Sequence, residues 1–101
     1  MKVSAGTERK LPRKFSFPFG SGLVVEEASI LCSTNGHSWE PTMQLLKMDN
    51  GEELVRFCVY RGKRLTGMPM IVDREQLMEL GKQVAKNKRL ESFIRVALKQ
   101  P

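Results

Sequence analysis

The tripeptide Asp49-Asn50-Gly51, set between the alternating runs 42–48 and 54–60, constrains this chain more than any other segment. A two-residue Asn-Gly loop would pair residues whose numbers sum to an odd value, mixing apolar and charged side chains on each face. A three-residue loop, with Asp49 and Asn50 in a type I turn and Gly51 in the left-handed bulge position, pairs even sums instead. Met43 then faces Phe57, Leu45 faces Val55, Lys47 faces Glu53 and Gln44 faces Arg56. The bulged loop therefore predicts a sheet with one apolar face, holding Val55, Phe57 and Val59 with Met43 and Leu45 as the core side. Arg56, Cys58 and Tyr60 fall on a wetter side that presents Tyr60 outward.

Other segments extend the sheet and then leave it. Residues 23–33 form a β-rich run, and Thr34-Asn35-Gly36-His37 reads as a tight hairpin with Asn35 and Gly36 at positive φ. Residues 68–72 contain Pro69, so this run belongs at an edge or bulge. Asp73 followed by Gln76 is a capping box opening a helix over 74–86, with Leu77, Leu80 and Val84 as its buried stripe. Gly81 sits mid-helix, where glycine costs about 1 kcal/mol relative to alanine, and close approach by a neighbouring element would explain it. The apolar phase shifts at Asn87-Lys88, and Leu90, Phe93, Ile94, Ala97 and Leu98 mark a second helix over 89–98, docked on the body or on a twin subunit. The expected architecture is α+β: a curved antiparallel sheet of about four strands (23–33, 42–48, 54–60, 68–72) followed by one or two C-terminal helices.

At the N-terminus, residues 1–14 lack apolar periodicity and read as a basic flexible tail, leaving 15–101 as the single domain. Phe15, Phe17 and Phe19 alternate around Pro18. They suit an edge strand or arm that tucks its rings onto the body or a second subunit, and a base-stacking arm is the sharper alternative.

Charge and composition limit the function. The 101 residues carry a net charge of +6, unevenly spread. Residues 1–14 hold Lys2, Arg9, Lys10, Arg13 and Lys14 against Glu8 alone, and residues 61–101 are basic too, while 15–60 are acidic. Such asymmetry favours a polyanion partner; a solvated, soluble surface is the bland alternative. No apolar run approaches the roughly 20 residues of a membrane span, and the Met1-Lys2-Val3-Ser4 start leads into polar sequence, so a cytoplasmic location is expected. Cys32 and Cys58 lack partners at metal or redox spacing and read as buried free thiols. His37 reads as a solvent-exposed turn residue, and Trp39 as either a core lid or a stacking platform. One histidine, isolated cysteines and no phosphate cradle supply no catalytic constellation, so no enzyme activity, cofactor, metal or small-molecule substrate is expected.

The span 43–84 resembles the single-strand-binding transcriptional coactivators of the positive-cofactor-four type. The likeness rests on Gly51, the run Leu54-Val55-Arg56-Phe57-Cys58-Val59-Tyr60, the pair Met70 and Val72, and Asp73-Arg74-Glu75-Gln76 opening the helix. The resemblance implies four strands and a helix, pairing of two copies, and single-stranded DNA or RNA as ligand. The family's stacking aromatics correspond to Asp49 and Arg61, and its basic residues beside the turn glycine to Asn50 and Glu52. Fold and pairing therefore carry over more fully than the binding surface.

Two functions emerge. One is a homodimeric single-strand-binding protein using Lys47, Arg56, Tyr60, Arg61, Lys63 and Arg64, where the basic loop 61–64 ends a rigid strand. The other is a protein-interaction or dimerisation module without nucleic-acid affinity, using an exposed strand and the amphipathic last helix.

Overall fold

The computed structural model describes residues 1–18 and 20–100; Phe19, the third ring of the N-terminal segment, lies outside the described residues. Six strands precede two helices: β1 (Lys2–Ala5), β2 (Arg13–Phe17), β3 (Gly20–Thr34), β4 (His37–Met48), β5 (Glu53–Arg61), β6 (Arg64–Asp73), α1 (Arg74–Ala85) and α2 (Lys88–Leu98). The class is α+β, with an antiparallel sheet ordered β1-β3-β4-β5-β6 and β2 also paired to β3.

The central hairpin has the register its turn chemistry predicts. Met43 lies opposite Phe57, Leu45 opposite Val55, Lys47 opposite Glu53 and Gln44 opposite Arg56. Gly51 supplies the left-handed residue at φ 89°, and Met48 N–H closes the loop on Glu52 O at 2.8 Å. The Lys47–Glu53 pair forms no salt bridge; Glu53 instead meets Arg74 at 3.6 Å. In the second hairpin, Asn35 and Gly36 sit at φ 49° and 79°, with Thr34 opposite His37.

Two irregularities bend the sheet. Val25 interrupts the β3–β4 register. On β6, Gly67-Met68-Pro69 intervene where β5 has Cys58 alone, between the Phe57–Met70 and Val59–Thr66 pairs. Pro69 thus sits in a bulge of the edge strand, where its missing N–H removes no ladder bond from the sheet interior.

The N-terminal residues expected as a flexible tail carry β1 and the start of β2, which raises the strand number above the expected four. β1 pairs with the far half of β3 from Lys2 opposite Ser33 to Ala5 opposite Ile30. This ladder is a backbone interaction at a sheet edge, so it needs no side-chain periodicity, and all four β1 residues are exposed. β2 is different in kind. Phe15 and Phe17 pack against the core cluster of Val24, Leu46, Met48 and Leu54, together with Ile71. Because that cluster spans β3 to β6, the sheet curls toward this face, and the core lies inside the curl.

The first helix is capped as predicted. Asp73 accepts from Gln76 N–H while the Gln76 side chain accepts from Asp73 N–H. Yet no residue of α1 or α2 is buried, contrary to the stripe expected of Leu77, Leu80 and Val84. Among the described residues, α2 touches only α1, and α1 reaches the sheet only at β5 and β6. The Cα radius of gyration is 15.0 Å, against about 13 Å for a close-packed domain of this length. Space around Gly81 is open, with nothing within 4 Å of where a Cβ would stand.

Candidate interaction surfaces

The sheet has two faces of unlike chemistry, and they are covered the opposite way from the sequence expectation. The even-numbered side of β4 and β5 is buried: Glu40, Thr42, Gln44, Leu46, Arg56, Cys58 and Tyr60 lie there. Arg56 is 4% exposed and Tyr60 9%, so neither is an outward-facing binding residue as proposed from the alternation pattern. The reason is the N-terminal segment, which crosses this concave side and supplies partners for its polar groups.

Gln44 is the centre of the resulting network. Its amide donates to Glu27 Oε2 at 2.6 Å and to the Tyr60 hydroxyl at 3.0 Å, while its carbonyl accepts from Arg56 Nε at 2.5 Å. Arg13, on β2, donates to Glu27 Oε2 at 2.6 Å and to the Tyr60 oxygen at 3.4 Å. The Arg56 guanidinium is held over the rings of Phe17 and Phe15, 4.9 and 5.4 Å from their centroids. Arg9 lies over the Tyr60 ring at 4.1 Å, with Nη2 3.2 Å from Glu40 Oε2 and Nη1 3.7 Å from Glu27 Oε1. Thr7 gives both its N–H and its hydroxyl to Glu40, at 3.0 and 2.6 Å.

These contacts set the protonation of the buried carboxyls. Burial alone would raise Glu27, but hydrogen bonds from Arg13 and Gln44 and the charges of Arg13 and Arg9 outweigh it and hold the group below the ordinary carboxylate value. For Glu40, burial is likewise overcome by the Thr7 hydrogen bonds and by Arg9. Burial pushes the Cys58 thiol up. Both cysteines are free and buried. Cys32 lies opposite Trp39 and Cys58 opposite Thr42; since Trp39 and Thr42 have opposite parity on β4, the two thiols sit on opposite faces.

The other face is apolar and only partly covered. Leu45, Val55, Phe57, Val59 and Val72 are half-buried, and Met43 and Met70 are exposed. Helix α2 repeats the pattern: Leu90, Phe93, Ile94, Val96 and Leu98 are all exposed, Phe93 at 77%. One chain thus presents an apolar sheet face and an apolar helix face that do not meet each other.

Of the predicted cations, Arg61, Lys63 and Arg64 come together. Arg61 pairs with Arg64 across the β5–β6 turn, with Gly62 and Lys63 between them, and all three basic residues are exposed without an ion pair among the described residues. Arg61 also lines a shallow groove on the apolar face with Trp39, Pro41, Val59 and Thr66. Trp39 is thereby the aromatic neighbour of the basic turn, a placement that needed the β4–β5 register extended past residue 42. Lys47 is exposed but sits opposite Glu53 at the other end of β5, about 26 Å along the strand from Arg61 at the usual rise per residue. His37 is exposed at its turn. No group of His, Cys, Asp and Glu suited to a metal occurs among the described residues, and no helix is long and apolar enough to cross a membrane.

No protein-family model, no curated protein and no solved structure matches this chain.

Proposed function

We propose that this is a non-enzymatic nucleic-acid-binding protein that works as a pair of copies, with single strands held at the β5–β6 turn. The observation that supports this reading most is the cluster of Arg61, Lys63 and Arg64, exposed and without an ion pair among the described residues, whose Arg61 lines one groove with Trp39. Cations of this kind neutralise phosphates and release counterions, and an indole face stacks an unpaired base. Arg56 and Tyr60 keep the sheet folded in this reading, and Lys47 acts only at a distance. The net charge of +6 favours the same partner.

Pairing is supported by the two apolar faces. Helices whose apolar residues stay uncovered gain little from propensity alone, so α1 and α2 need a surface to rest on. The sheet face carrying Met43, Leu45 and Val55 is such a surface, and a twofold exchange satisfies both copies at once. It covers the end of the sheet near Val55 and Val72 and leaves the Trp39–Arg61 end open. A second copy also accounts for the open space at Gly81.

Fluorescence anisotropy with single- and double-stranded oligonucleotides at two salt concentrations, with solution mass measured in parallel, tests both parts. Single-strand binding that falls steeply with salt and disappears in Arg61→Glu/Lys63→Glu/Arg64→Glu is expected. The mass is expected to be that of two chains and to halve in Phe93→Asp/Ile94→Asp. A dimer without oligonucleotide affinity at low salt would instead establish the second reading, a protein-interaction or dimerisation module, which the exposed Phe93, Val96 and Leu98 favour.

A further inference from the structure

The concave face contains a second, separate site, and the chain itself fills it. Glu40 is 3% exposed, yet every partner of its carboxylate among the described residues comes from the N-terminal segment: Thr7 N–H, Thr7 Oγ1 and Arg9 Nη2. The flat guanidinium of Arg9 rests on Tyr60 while its edge faces Glu40 and Glu27. This arrangement suits a planar cation and not an ammonium.

The segment is held in an unusual way. Residues 1–9 bury no apolar side chain: Val3 and Met1 stand out in solvent, and only Gly6 and Arg9 are even half-covered. What retains them is the four-residue edge ladder of β1 and the polar contacts at Thr7 and Arg9. Arg9 Nη1 is buried without a hydrogen-bond partner. By contrast, Phe15 and Phe17 anchor β2 in the core. Segments with few buried apolar contacts are the first to open, which makes residues 1–9 the part of the segment least tied to the core, while the rings of β2 hold it there.

Opening of this segment would uncover the backbone edge of β3 at residues 29–33 and leave the Glu40 carboxylate without its partners. Arg13 and Gln44 remain with Glu27, so Glu40 is the unbalanced charge and the incoming group is a cation, not a phosphate.

We infer that this face is a receptor for an extended, arginine-bearing peptide segment of a partner protein, with residues 1–9 as an internal stand-in. The ligand adds a strand to the β3 edge, a known mode of peptide capture. Its sequence requirements follow from the occupant. A glycine is needed where Gly6 lies, since a Cβ there would stand 2.8 Å from the Ser29 carbonyl carbon. A hydroxyl residue comes next, and an arginine two positions further on, giving Gly-Thr-x-Arg.

A fluorescent peptide reproducing residues 2–10 is titrated into the full chain and into Arg9→Ala, whose own segment competes less well. At least tenfold tighter binding to Arg9→Ala is expected. Loss of at least tenfold is expected when the peptide arginine becomes lysine, and again when the chain also carries Glu40→Gln. Equal affinity of Arg9→Ala and the natural chain, or of the arginine and lysine peptides, overturns the inference. Amide hydrogen exchange on the unmodified chain tests release without any substitution. The Gly6 and Thr7 amides are expected to exchange well ahead of those in β4, and exchange only together with β4 refutes the receptor.

Discussion

Arg9 and Tyr60, 51 positions apart in sequence, form a stacked pair at 4.1 Å from guanidinium carbon to ring centroid. That pair explains why the polar face of the sheet is the buried one. Tyr60, Gln44, Glu27 and Glu40 share this face with the apolar core of Val24, Leu46, Met48 and Leu54; they are satisfied there because an N-terminal segment brings Thr7, Arg9 and Arg13 to them. Buried polar groups are tolerated only when their partners are complete.

Acid is therefore expected to destabilise the fold through Glu27 and Glu40. Both have folded-state values below those of the unfolded chain, so the unfolded state takes up protons first as pH falls. The stabilisation is fully present above the ordinary carboxylate value, about pH 4.5, and is lost as pH falls through the lowered folded values. Urea midpoints recorded from pH 7 to pH 3 should drop in this window, and a Glu27→Gln/Glu40→Gln chain should show a flatter profile.

Gln44→Leu should cost about 3 kcal/mol or more, because it leaves Glu27, Tyr60 and Arg56 each short of a partner inside the fold. Thr42→Val, at an equally buried position, should cost about 1 kcal/mol, since the Thr42 hydroxyl bonds only the Glu40 carbonyl two residues away. Chemical denaturation of the two variants distinguishes a shared network from a local bond.

Gly51→Ala is expected to lose about 1–2 kcal/mol from backbone conformation alone, the ordinary cost of a left-handed non-glycine residue. Nothing lies within 4 Å of the added Cβ, so no clash contributes. Gly51→Asn should recover part of the loss. Thermal melts of the three chains check this.

Neither thiol should react with Ellman's reagent in the native protein at pH 8, and both should react on denaturation. Cys58 combines burial with a raised thiol value, and Cys32 is 5% exposed. Mild oxidation should leave the chain without an internal disulfide on a non-reducing gel, because the sheet separates the two sulfurs.

The hairpin register was legible because turn chemistry and side-chain parity both bear on it: Gly51 suits a two-residue or a bulged three-residue loop, and only the even sums of the second match Met43 with Phe57. The helix cap was legible for the same local reason, with Asp73 and Gln76 three positions apart. Alternation states which residues share a face, however, and is silent on what covers it. Apolar Val55 and Phe57 were expected inward and polar Arg56 and Tyr60 outward, on the rule that apolar residues seek the core. The rule failed because this face also carries Leu46 and Leu54, which Phe15 and Phe17 cover, and because Arg9 and Arg13, remote in sequence, partner its polar groups. The β1 strand was invisible for a related reason: an edge ladder that exposes every side chain leaves no apolar period to detect. At the binding surface, the basic turn of Arg61, Lys63 and Arg64 could be read from composition, whereas Trp39 joined it only through the long β4–β5 pairing.

The bulge at Gly67-Met68-Pro69 has a consequence for growth of the sheet beyond one molecule. Open strand margins recruit like strands into fibres, and a proline-bearing kink on β6 offers a poor template for the next chain. The opposite margin is already occupied by β1 and β2. Fibre growth through β6 is thus disfavoured, and the margin left for another strand is the one where β1 lies along β3.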